Sequence, residues 1–243
     1  MSNDTAEDVE RKVLDLVLHV EEKLESNPLA ALEIAEQAAP ESAAHPEVRL
    51  ARARAIVAAK GASTARGVLE ELVKAEPQFA EARHALALVY EELGDIEACT
   101  RELLEVRRLD AASDAIEGFS LDEVAERVKT IAERVLDDLP VKFRRRLLGV
   151  PILIEERPSE DIVRERFDPR SLGLFEGPID AERQLGDASP TPTRIVLYAA
   201  NLAALVDLGD EEELAGEVEI TLLHEIAHYF GLDEEELEAL GLG

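Results

Sequence analysis

A period of 34 residues runs through the first half of the chain, and it constrains the fold more than any other feature. Taking Ala80 as the start of a unit, Leu86, Ala87 and Tyr90 fall on one face of a first helix. Gly94-Asp95 makes a turn, Cys99, Leu103 and Val106 fall on a second helix, and Asp110-Ala111 closes the unit. One period earlier the same places hold Arg52, Ala53 and Ile56, then Lys60-Gly61, then Ala65, Leu69 and Leu72, with Glu76-Pro77 closing. One period earlier again, Leu18, His19 and Glu22 precede Ala31, Ala35 and Ala38, with Pro40 near the close. A helix pair of this length cannot bury its apolar face alone, so such units stack on one another and share a core.

The small residues Ala31, Ala65 and Cys99 stand where two helices of a unit must approach closely, and in this the period resembles the tetratricopeptide repeat. The resemblance covers residues 46–113 and extends to 12–45. Arg49 and Arg83 stand where that repeat carries a large aromatic. The competing reading is a generic helical bundle. Stacked repeats present a concave surface that takes up peptides, so residues 1–112 are expected to form a docking region for a protein partner. Cys99 reads as a small core residue. His19, His45 and His84 lack the spacing of metal ligands and read as structural or solvated.

From residue 113 the pattern changes. Ser113–Phe119 reads as a linker, and Ser120-Leu121-Asp122-Glu123 as a capping box opening a helix with Val124, Val128, Ile131, Val135 and Leu139 at helical spacing. Pro140 stops it. Val150–Glu155 reads as a strand, Leu172–Gly177 as a short apolar piece between glycines, Gly186–Thr193 as a loop, and Arg194–Tyr198 as a second strand. If Arg194–Tyr198 is an edge, it is the strand expected to hold an extended peptide. The last long helix is expected over Glu211–Phe230. It has Leu214, Val218, Leu222 and Ile226 on one stripe, and Ile220, Leu223, Ala227 and Phe230 on another. A helix apolar on two sides is buried between layers, so residues 113–243 read as an α+β domain with a short sheet and a buried helix.

That helix carries His224-Glu225-Ile226-Ala227-His228, an H-E-x-x-H pattern. Four residues apart on a helix, the two imidazoles share one face and can hold a single zinc ion, with Glu225 beside them as general base. Gly231 is expected to end the helix and turn the chain back. The turn brings Glu234 toward the metal as third ligand, giving H-E-x-x-H-x-x-G-x-x-E, with Asp233 as its competitor. Asp233-Glu234-Glu235-Glu236 also reads as a helix cap that occupies Asp233. Too little chain follows His228 for a third ligand on a distant helix. The alternatives are a buried helix whose histidines merely pack, and a metal site without turnover.

With these residues in view, the segment from about Ser120 onward resembles the bacterial minimal zincin-like metallopeptidases. The matching pieces are Val150–Glu155, Leu172–Gly177, Arg194–Tyr198 and His224–Leu237. The resemblance implies a small zincin core with bound Zn2+ and peptide-bond hydrolysis. That family carries Asp where this chain has Glu234. The glycine turn is also similar to that of the metzincins, but their Met-turn has no counterpart, since the only methionine is Met1.

Charge narrows the partners. The net charge is −28, from 26 basic and 54 acidic residues, and such a surface repels nucleic acid. Residues 201–243 hold no Lys or Arg, so the field there favours a basic peptide or protein substrate, or else the excess acid serves solubility alone. No apolar run is long enough to span a membrane. The acidic N-terminus lacks a secretory h-region, and with the single cysteine this leads to a cytoplasmic expectation. Two further readings stand beside the peptidase: a non-catalytic, zinc-braced adaptor, and a protease whose repeats select or block its substrate.

Overall fold

The computed structural model describes residues 2–117, 120–185, 192–208, 210–233 and 235–236. Its contacts divide the chain into two units. The first comprises Met1–Ser113 with Val163–Arg166, the second Asp114–Ile162 with Phe167–Gly243.

The first unit is built from α1 (Ser2–Leu24), α2 (Pro28–Glu36), α3 (Pro40–Ala43), α4 (Pro46–Lys60), α5 (Ala62–Ala75), α6 (Ala80–Glu92) and α7, which begins at Ile96 and runs to Glu117. The 34-residue period is visible in the packing: Ala31, Ala65 and Cys99 are 0 %, 0 % and 1 % exposed. Ala53, Ile56, Leu69, Leu72, Leu86, Ala87, Tyr90, Leu103 and Val106 are buried as the repeat requires. α2 packs on α1 and α4, and α5 on α4 and α6. The earliest unit departs from its expected face. Leu18 and His19 are exposed, and Val13 and Val20 fill the core instead, one helical face around. Arg83 works through polar contacts where an aromatic would pack. Its Nε donates to the Pro77 carbonyl at 2.9 Å, and its Nη1 to the buried Glu102 carboxylate at 2.6 Å. His45 caps α4, its Nδ1 accepting from the Glu47 amide. The expected linker is instead helical, since α7 continues through Glu117; Gly118 and Phe119 lie outside the described residues.

The second unit continues with α8 (Leu121–Asp138), α9 (Val141–Arg146), β1 (Ile152–Glu155), α10 (Glu160–Arg164, which straddles the division), β2 (Gly173–Glu176), α11 (Asp180–Leu185), β3 (Arg194–Tyr198), α12 (Ala199–Ala204) and α13 (Glu211–Tyr229). It is an α+β unit. The sheet order is β1-β3-β2, with β1 parallel and β2 antiparallel to β3. β3 is therefore the central strand, not an edge, which corrects its expected role in holding a peptide. Its backbone groups are already paired on both sides.

One face of the sheet meets a helical layer. Val124, Val128 and Val135 of α8, Ile195 and Leu197 of β3, Leu202 of α12, and Leu214, Val218, Leu222 and Ile226 of α13 form one core. Ser120 stands at the start of α8 without a side-chain capping bond, so the expected capping box does not form there. Leu139, extended before Pro140, ends the helix, because the proline ring disfavours helical backbone at the residue before it. Residues 186–191 of the expected loop lie outside the described residues. No described helix is long and apolar enough to cross a membrane.

Candidate metal centre

α13 is set by its two ends and two faces. Asp210 caps its start, accepting from the amides of Glu212 at 2.9 Å and Glu213 at 3.3 Å. The stripe of Leu214, Val218, Leu222 and Ile226 is buried as expected. The second stripe holds only in part: Ala227 is buried, while Ile220 is 43 % exposed. Ile220 belongs to a neighbouring face, shared with Glu217, Thr221, His224 and His228, that opens into a cleft of about 870 Å3. β2, the chain leading into it, and Ile179 form the facing wall.

At the far end Gly231 ends the helix as the sequence predicts. It takes φ +87°, its amide donates to the His228 carbonyl at 2.9 Å, and the Leu232 amide donates to the Ala227 carbonyl at 3.1 Å. A side chain would be strained at that φ and would lie 3.3 Å from Ile179 Cδ1. The turn has a chemical consequence. It brings the Leu232 carbonyl to within 3.1 Å of His228 Nδ1. A carbonyl can only accept, so Nδ1 carries the proton and Nε2 is left as a lone-pair donor.

That lone pair meets its partner. Nε2 of His228 lies 2.9 Å from Nε2 of His224, with the ring centroids 4.5 Å apart. Zinc bonds of about 2.0–2.1 Å in tetrahedral geometry put two ligand nitrogens about 3.3 Å apart, so a few tenths of an ångström of ring rotation suits this pair to the ion. Glu225 points from the neighbouring face and is 7 % exposed. It lies against Gly173 of β2, where an added Cβ would come within 2.8 Å of Glu225 Oε1, 2.9 Å of its Cγ and 3.0 Å of Thr221 Cγ2. Gly173 thus makes the room in which the carboxylate sits.

Glu234 lies outside the described residues. Asp233 is described and is engaged as the sequence suggests. Its Oδ1 accepts from the Glu236 amide at 3.0 Å, and Glu236 Oε2 accepts from the Asp233 amide at 3.0 Å. This is a reciprocal capping box. Among the described residues no three His, Cys, Asp or Glu side chains gather as a metal cage.

Tyr198, the last residue of β3, does not reach the cleft. It is buried in central β3, its ring 6.2 Å from that of Phe167, and it is not among the residues lining the cleft. Burial, then the negative charges of Glu155 and Glu176, push its phenol well above the ordinary tyrosine range, with Arg194 partly offsetting them.

Two buried networks hold the cleft walls, and neither is evident from the H-E-x-x-H pattern. Asn201 of α12 donates to the carbonyls of Pro169 at 2.8 Å and Ser171 at 2.7 Å, and accepts from Arg157 at 2.6 Å. Arg157 also pairs with Asp114. The chain entering β2 is pinned in this way. The isolated polar residue within Ala199–Ala203 is the sequence signal for it. Tyr229 fixes the other end of α13. Its hydroxyl accepts from Arg183 at 2.9 Å and faces the Arg146 carbonyl at 2.8 Å and Asp180 Oδ1 at 3.0 Å, while Asp180 pairs with Arg146.

Residues 147–243 match the family model of the zincin-like metallopeptidases. No curated protein matches the sequence. The match begins after α8, later than the Ser120 start suggested by the resemblance, although α8 shares the core of the matched part. Residues 147–243, which carry the helix of His224, Glu225 and His228, are therefore similar to the zincin-like metallopeptidases, whose members use zinc as their cofactor.

Proposed function

We propose that this protein hydrolyses peptide bonds in the cleft along α13, with Glu225 as the catalytic base and His224, His228 and Glu234 as the zinc ligands. One observation carries the reading: two imidazole nitrogens converge at 2.9 Å beside a buried carboxylate, in the wall of an open cleft. Glu234 is preferred to Asp233 because one oxygen of Asp233 is committed to its helix cap. Zinc, when bound, supplies a Lewis acid that polarises the scissile carbonyl and lowers the pKa of water at the open coordination position.

The residues of the chain do the rest. His228 enters as the Nδ1-protonated tautomer, held by the Leu232 carbonyl. Glu225 takes the proton of the attacking water and returns it to the leaving amine. β2, paired on one side only among the described residues, offers its outer backbone groups to an extended peptide by strand addition. The absence of Lys and Arg from residues 201–243 favours a basic peptide or protein as substrate. The stacked helices of the first unit, tetratricopeptide-like in their buried small residues, recruit that substrate or a protein partner.

The test is Glu225→Gln in the full chain, with cleavage of a mixed peptide digest followed by mass spectrometry. The variant is expected to retain zinc and lose cleavage by at least about a hundredfold, the size of a general-base contribution. Cleavage at the wild-type rate would sink the assignment. A wild-type protein that unfolds on chelation and cleaves nothing would favour the zinc-braced adaptor.

A further inference from the structure

Glu217 is a half-buried carboxylate on the cleft wall, and among the described residues none forms a hydrogen bond or ion pair with it. It shares the α13 face of His224 and His228, at offsets of one helical stripe. Ile220, exposed to the cleft, lies on the same wall between Glu217 and the imidazoles. The facing wall is apolar, formed by Leu172, Leu174 and Phe175. Such a carboxylate has lost part of its hydration with no cation among the described residues to replace it.

Strand direction gives this carboxylate a place along a bound peptide. Gly173 lies against Thr221 and Glu225, and Phe175, two residues on, has its ring 5.9 Å from that of Tyr229. β2 and α13 therefore run the same way, and Glu217 lies beyond the start of β2. A peptide added antiparallel to β2, the slightly stronger pairing, runs toward Glu217 after the bond held at the imidazoles. From the midpoint of His224 and His228 to Glu217 is about 13 Å of helix, or about four residues of extended chain.

We propose that Glu217 is a specificity residue that binds a lysine or arginine side chain at the third or fourth position after the cleaved bond, with an apolar residue of the same peptide resting on Ile220. This rests on the reading of the cleft as a peptide site.

The test uses the zinc-supplemented full chain and pairs of fluorescein-labelled decapeptides, alike and otherwise uncharged, carrying one Lys or one Gln at a scanned position. Binding is read by anisotropy and cleavage by mass spectrometry. The wild type is expected to prefer the Lys peptide about tenfold, as one charge-assisted contact gives, and less at high salt. Glu217→Gln is expected to bring the ratio to about one, and Glu217→Lys to favour a matching Glu peptide. Cleavage with no Lys preference, or with a preference that persists in Glu217→Gln, overturns this proposal and leaves the peptidase reading standing. Lys-selective binding that needs Glu217 but yields no cleavage supports the contact of Glu217 with a basic side chain of a bound peptide and sinks the peptidase reading. Binding of neither peptide, without cleavage, overturns both.

Discussion

Glu225 and Gly173 compete for one volume, and the absence of a side chain at 173 decides it in favour of the carboxylate. Gly173→Ala is expected to push Glu225 out of line. Catalytic efficiency should then fall about tenfold to a hundredfold, while stability falls by only about 1–3 kcal/mol. Parallel rate and thermal-melt measurements separate the two effects, and a loss of stability without loss of rate would remove Gly173 from the positioning role. The helix that brings His224 and His228 together could be read directly from the sequence, because the H-E-x-x-H spacing lies inside an apolar helical period. Gly173 could not be so read, since its role depends on a strand and a helix distant in sequence meeting at that atom. Glu217 shares the stripe of the histidines and was legible in principle, but a lone acid on a helix reads as solvated until the opposite wall is seen.

Elements were legible where period and punctuation agree. α8 stops before Pro140, α13 turns at Gly231, and β1 and β3 fall in the segments expected as strands, while the short apolar piece at 172–177 holds the strand β2. Strand order was not legible: the peptide-holding role of Arg194–Tyr198 depended on its being an edge, and the structure makes it the central strand. The edge beside the cleft is β2, and its approach is held by Asn201. Asn201→Ala would leave the carbonyls of Pro169 and Ser171 and the Arg157 guanidinium short of partners in a buried place. A loss of about 2–4 kcal/mol is expected in urea unfolding, since each unmet buried group carries its own desolvation cost. A loss below about 0.5 kcal/mol would show that the network does not hold this wall.

At the scale of the whole molecule, two halves of different legibility are joined in one chain. The repeat half announces itself by its period, and the structure buries Ala31, Ala65 and Cys99 in register. The other half is announced by five residues and a glycine turn. Its core draws on α8, which lies outside the family match. The assignment stands or falls on the metal. Elemental analysis of the full chain, purified without chelator and equilibrated with zinc, should give about one zinc per chain for the wild type and for Glu225→Gln. His224→Ala should give well under a tenth of that, because the proposed set holds the metal by three protein ligands and would lose one. Wild-type protein that holds no zinc, or His224→Ala that holds as much as wild type, would contradict the account.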